Sequence, residues 1–148
     1  MRLLLLMAVP LLIADAASAQ DGAECFSKFT KFNVCEKARE LQRGLAPSLP
    51  VKMNANVTLS MVYVVGPRIV ITAIWHVSKA DMDALISAGN MSLADLQARM
   101  SQGTRNSVCS QDAMAAFIRL GGQVQYIYKT TDQFVALSPT VTACGNSN

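Results

Sequence analysis

Residues 51–77 read VKMNANVTLSMVYVVGPRIVITAIWHV, and their alternation decides the fold class. Met53, Ala55, Val57, Leu59, Met61, Tyr63 and Val65 occupy odd positions, with Lys52, Asn54, Asn56, Thr58 and Ser60 between them. A period of two is what a strand with one buried face requires, so 51–65 is expected as a single strand. Beyond Gly66-Pro67 the odd positions Ile69, Ile71, Ala73, Trp75 and Val77 carry the pattern through a second strand, from about Arg68 to Val77. A two-residue loop would pair odd with even positions and turn one apolar face to water. An odd-length loop, Val65-Gly66-Pro67, keeps both apolar sets on one side, so the expectation is an antiparallel hairpin of that kind.

The hairpin carries a second apolar set at even positions: Val62 and Val64 late in the first strand, Val70 and Ile74 in the second. Strands apolar on both sides are commonly covered on both. Here the cover comes either from within the domain or from a partner. Val62, Val64, Val70 and Ile74 are therefore the candidate partner-binding residues.

Working outward, Cys25, Phe29, Phe32, Cys35, Ala38, Leu41 and Leu45 recur every three or four residues, the spacing of one helix face. Asn33 with Glu36 also resembles a capping box that would start the regular helix near Val34. In a continuous helix Cys25 and Cys35 lie about 15 Å apart, too far to bond; with a start at Asn33 the preceding segment can fold back and the pair becomes feasible. Downstream, Ser78 with Asp81 and Ser92 with Asp95 each open a helix, Gln102 to Ser107 reads as a polar loop, and a third short helix begins around Ser110. Val124, Tyr126 and Tyr128 then alternate with polar residues. After a turn at Thr130–Gln133, Phe134 to about Val141 returns as a strand, placed at a sheet edge because Pro139 has no N–H to donate. The expected architecture is α+β: an antiparallel sheet of about four strands, made of two hairpins, with helices on one face and disulfide staples.

The first nineteen residues combine Arg2, an apolar run from Leu3 to Ile13 and the small-residue exit Ala17-Ser18-Ala19. That is the pattern of a cleaved secretory signal, and its apolar run is too short for a membrane anchor. One domain, residues 20–148, would remain. Loss of the signal removes Arg2 and Asp15, so the formal charge stays at +3. Basic residues are scattered among acids without aromatic interleaving, which argues against nucleic acid as a partner. Cys25, Cys35, Cys109 and Cys144 are an even set in an exported chain, first read as disulfides, and no C-x-x-C pair suggests metal.

Cys109, Leu120-Gly121, Tyr126-Ile127-Tyr128, a turn, an amphipathic strand and Cys144 together resemble a group of small exported bacterial domains. Some of these are quorum-sensing-regulated virulence factors, and the secretin pilotins have comparable architecture. The match covers residues 107–144. Where the pattern often carries Asp and Gly in the turn, this chain has Thr130-Thr131-Asp132-Gln133. The resemblance implies a Cys109–Cys144 bond, leaving Cys25 with Cys35, and it implies no enzymatic activity. By chain entropy a bridge closing about 36 residues contributes about 4 kcal/mol.

Catalytic sets are incomplete. His76 is the one histidine, next to Trp75 at a strand end, and no G-x-S-x-G elbow accompanies it. Asp81 and Asp83 sit in the first turn of a helix, where the dipole alone favours acids. Gly121-Gly122 precedes a strand and so reads as a helix stop, not a phosphate cradle. No cofactor or metal site is read. The expected function is that of a periplasmic or secreted, non-enzymatic envelope protein that binds another protein, as an assembly accessory, pilotin-like factor or inhibitor. The alternatives are a carrier of a small apolar ligand, with Trp75, Met61 and Tyr63 lining a cavity between sheet and helices, and, behind it, a hydrolase using His76.

Overall fold

The structure, a computed structural model, describes residues 24–28 and 30–145. The expected signal at 1–19 lies outside these residues. Four helices and a six-stranded mixed sheet make up the described chain.

Helix α1 (Val34–Leu45) begins where the Asn33 side chain accepts the Glu36 N–H at 3.0 Å. The segment before it folds back, with the Val34 N–H reaching the Cys25 carbonyl at 2.7 Å and a disulfide joining Cys25 to Cys35. Of the two readings of this region, the late helix start is the one present. Ahead of it, Phe26 bridges back antiparallel to Asn33, and Phe29 lies outside the described residues.

The expected strand at 51–65 is two strands. Strand β1 (Val51–Lys52) turns through Asn54 and Asn56, whose side chain and N–H bond at 2.8 Å, and pairs antiparallel with β2 (Val57–Val65). Asn residues favour such turns because the side-chain amide imitates a backbone group. Strand β2 then pairs antiparallel with β3 (Arg68–Trp75), as expected, but the loop has two residues: Val65 stands opposite Arg68. Gly66 takes φ +56 and Pro67 follows with its ring-fixed negative φ, the pattern of a type II′ turn that suits a twisted hairpin. Even therefore faces odd: Val62 pairs with Ile71 and Val64 with Ile69. A bulge at Ser60 inserts one residue and restores odd-to-odd pairing, Leu59 with Ala73 and Val57 with Trp75.

Three helices follow β3: α2 (Lys79–Ala88), α3 (Leu93–Cys109) and α4 (Asp112–Arg119). Ser78–Asp81 and Ser92–Asp95 form reciprocal capping boxes at the first two. Helix α3 runs straight through Gln102–Ser107, expected as a loop. Its inward residues hold it there: Thr104 is buried with its hydroxyl 2.8 Å from both the Met100 carbonyl and Tyr128 Oη, and Val108 is buried one turn on. Gln102 and Asn106 bond each other on the outside.

Strand β4 (Gln123–Lys129) lies parallel to β3, with Arg68 opposite Gln123 and Ile74 opposite Lys129. The all-antiparallel expectation is thus corrected: a crossover of three helices carries the chain back to the end at which β3 began, and only a parallel strand can follow. Gly122 starts this return under α4, where a Cβ would stand 2.4 Å from the Phe117 ring. Strands β5 (Val135–Leu137) and β6 (Thr140–Val141) both pair antiparallel with β4 and read as one edge strand broken at Ser138-Pro139. The Pro139 carbonyl still accepts the Tyr126 N–H at 3.0 Å. A second disulfide, Cys109–Cys144, ties the end of α3 to the segment after β6.

One side of the sheet supplies the core. Val62, Ile69, Ile71, Ala73, Val124, Tyr126 and Val141 pack with Val34 and Ala38 of α1, Val108 of α3 and Met114, Phe117 and Ile118 of α4. A smaller cluster gathers Met82 of α2 with Ala136, Leu137 and Trp75.

Candidate docking face

The side chains alternating with these core residues point to the other side of the sheet. There β2 presents Met61, Tyr63 and Val65, β3 presents Arg68, Val70, Thr72 and Ile74, and β4 presents Gln123, Gln125, Ile127 and Lys129. No described helix packs on this side, since the core contacts of α1 to α4 are all with residues of the opposite one. Met61, Tyr63 and Val65 are 56%, 39% and 58% exposed, and Val135 of β5, paired with Lys129, adds to the apolar surface. Single exposed apolar side chains are ordinary; Met61, Tyr63 and Val65 form a row of three on one strand, beside the buried Val70 and Thr72 and the half-buried Ile74 and Ile127, and a row of that kind marks a candidate interaction surface.

Each expected partner-binding residue has a definite place. Val70 and Ile74 lie on the open face; Val70, on the central strand, is flanked by its register partners Tyr63 and Gln125 and is itself buried. Val62 and Val64 do not lie there: Val62 is buried in the main core and Val64 packs against it. Their correction has one cause, the two-residue turn at Gly66-Pro67, which reverses the parity of β2 from Met61 to Val65. The same reversal brings out Met61, Tyr63 and Val65, which the strict odd-position pattern placed inside. The readable signal was Gly66-Pro67 itself, a dipeptide that suits a two-residue turn.

The cavity proposed for a small apolar ligand is likewise corrected. Met61 and Tyr63 point away from the helices, and Trp75 packs with Met82. An opening of about 250 Å³ between sheet and helices is lined by Leu59, Met100, Tyr126 and Tyr128, not by that trio. His76 reaches the Thr58 hydroxyl at 3.0 Å across the hairpin, and its bond goes to a neighbouring strand side chain. Asp81 is held below the usual carboxylate range by the Ser78 hydroxyl and N–H that it caps, and Asp83 pairs with Lys79 at 2.6 Å. Both acids serve α2. Among the described residues no cluster of His, Cys, Asp or Glu could hold a metal ion, and no helix is long and apolar enough to cross a membrane.

The charge on the open face has one sign. Lys52, Arg68 and Lys129 stand on outward strand positions, and none of the six strands contains an Asp or Glu. Arg68 is fixed in place: its Nε donates to Gln123 Oε1 at 2.8 Å and its Nη1 to Gln125 Oε1 at 3.4 Å. Gln125 is in turn oriented by donating its Nε2 hydrogen to Ser138 Oγ at 2.8 Å. Beside Arg68 the surface dips into a cleft of about 680 Å³ walled by Val65, Gly121 and the N-terminal residues Phe26, Glu24 and Lys28. Val65 and Arg68 belong to both the face and the cleft, so the two are continuous.

No protein-family model matches the chain, and no curated protein matches it in sequence. Solved structures do share its fold. The pilotin EpsS of the Vibrio vulnificus type 2 secretion system superposes with a TM-score of 0.60 at 11% identity, covering 77% of this chain and 94% of that one. AspS, the type II secretion system pilotin of Vibrio cholerae, gives 0.56 at 14% identity over 74% and 89% of the two chains. A Pseudomonas aeruginosa protein solved as a secreted protein gives 0.56 at 12% identity, again over 74% and 89%. The architecture is therefore pilotin-like.

Proposed function

We propose that this chain is an exported, non-enzymatic accessory protein of a bacterial envelope that binds another protein, as a pilotin-like assembly factor, through the open face of its sheet. The observation that carries this reading is the uncovered apolar row Met61–Tyr63–Val65 with Val70, Ile74 and Ile127 behind it. Support also comes from the shared fold of two secretion-system pilotins, and from two disulfides, which belong to proteins of oxidising compartments such as the periplasm.

The test uses disulfide-bonded protein from Gln20 onward as bait for envelope extract of its own host, with captured protein identified by mass spectrometry and binding repeated with the purified partner. The Met61→Ser/Tyr63→Ser/Val65→Ser variant should keep its melting temperature and lose the partner. A partner retained by that variant would move the binding site elsewhere.

A further inference from the structure

On the reading that the open face binds a protein, we infer that the segment it takes is amphipathic and acidic, with a carboxylate seated on the Arg68 guanidinium and apolar side chains laid over Met61, Tyr63 and Val65. Three observations converge on this. The face has an apolar centre bounded by Lys52, Arg68 and Lys129, and its strands hold no acid. The described ion pairs, Lys37–Glu40 and Lys79–Asp83, both lie on helices, so Arg68 is not neutralised by either. Its hydrogen-bond partners are two uncharged glutamines, and neither bond uses Nη2.

An arginine in a folded protein is commonly oriented by the carboxylate it pairs with. This one is oriented without one, by a relay running from Ser138 through Gln125 to Nη1 and a direct bond from Nε to Gln123. Holding the planar fork still removes much of the entropy cost of a charge-assisted bond to an incoming carboxylate. Arg68 is also next to the apolar row, directly opposite Val65 and two residues from Val70. The adjoining cleft is lined by one acid, Glu24, and by two bases, Lys28 and Arg68. A peptide is favoured over an anionic bilayer, which is recognised through clusters of roughly four to eight basic residues; the face offers three.

The probe is a phage-displayed library of random peptides selected on the oxidised protein, with recovered peptides synthesised for titration. The result expected is enrichment of peptides carrying Asp or Glu beside apolar residues. Their binding is lost in the Met61→Ser/Tyr63→Ser/Val65→Ser variant, weakened about tenfold by Arg68→Gln and weakened by added salt. Exchanging the peptide carboxylate for its amide should cost as much as Arg68→Gln and add little to it. Arg68→Lys, which keeps the charge and loses the fork, should fall between, and thermal melts check that each variant folds. Peptides that need the apolar row but ignore Arg68→Gln, or that carry no acids, overturn the acidic partner and leave the protein-binding reading standing. Recovery of no peptide that depends on the row overturns both. Binding to vesicles of phosphatidylglycerol and phosphatidylcholine that Arg68→Gln abolishes, without acid-bearing peptides, assigns the face to lipid and overturns the inference.

Discussion

Strand β2 behaves differently on the two sides of Ser60. Before it, Val57 and Leu59 turn toward the helices; after it, Val62 and Val64 do, and Met61, Tyr63 and Val65 are left facing water. Chemically the two halves are alike, each apolar at its odd positions. What separates them is one inserted residue, which bends the ladder between an inner half set by the core and an outer half set by the Gly66-Pro67 turn. A bulge of this kind lets a single strand serve both a core and a recognition surface, because it decouples the faces at a chosen point.

Neighbouring residues from the two sets should respond very differently to substitution. Val62→Ser leaves a cavity and buries a hydroxyl, so it should cost about 2–3 kcal/mol in urea unfolding. Val65→Ser on the open face should stay within about 0.5 kcal/mol. Equal losses would mean that the open face is covered in solution.

A second contrast is between pH regimes. Tyr126, on the covered side and 5.8 Å from Tyr128 ring to ring, has its hydroxyl pushed up to about 12, first by burial and then by the neighbouring Tyr128. Tyr128 is raised too, by burial, against the lowering effect of its bond to Thr104. The folded form thus favours the neutral phenols. Their contribution is complete below the unfolded value of 10.0 and disappears as pH climbs from there toward 12. Stability should fall by about 2 kcal/mol across that window, and Tyr126→Phe should flatten the decline in unfolding titrations. A further effect is expected at the turn that sets the parity. Gly66 stands at φ +56 with open space around its Cβ position, so Gly66→Ala should cost about 1 kcal/mol through backbone strain alone.

Local chemistry was legible in the sequence. Asn33, Ser78 with Asp81 and Ser92 with Asp95 mark helix starts because a cap is satisfied within four residues. Pro139 marks the edge strand for an equally local reason, its missing N–H. Features set by distant contacts were not legible. The parallel join of β3 to β4 follows from where three helices pack, and helix α3 persists through Gln102–Ser107 because Thr104 meets Tyr128 from another strand. The candidate site divides along the same line. Val70 and Ile74 are on the open face because the regular part of β3 keeps its parity. Val62 and Val64 exchange places with Met61, Tyr63 and Val65 because the two-residue turn at Gly66-Pro67 sets the parity there, while Val57 and Leu59 keep theirs through a bulge that no residue at Ser60 announces. The role of Arg68 is not legible in the sequence, since its setting comes from Gln123 and Gln125, more than fifty residues along the chain.

Whether the uncovered face is where this protein meets its partner is decided by capture from host envelope extract with the natural protein and the Met61→Ser/Tyr63→Ser/Val65→Ser variant side by side. One envelope protein should be held in stoichiometric amount by the natural chain and released by a variant that melts at the same temperature. The same protein held equally by both, or none held by either, would contradict docking at this face.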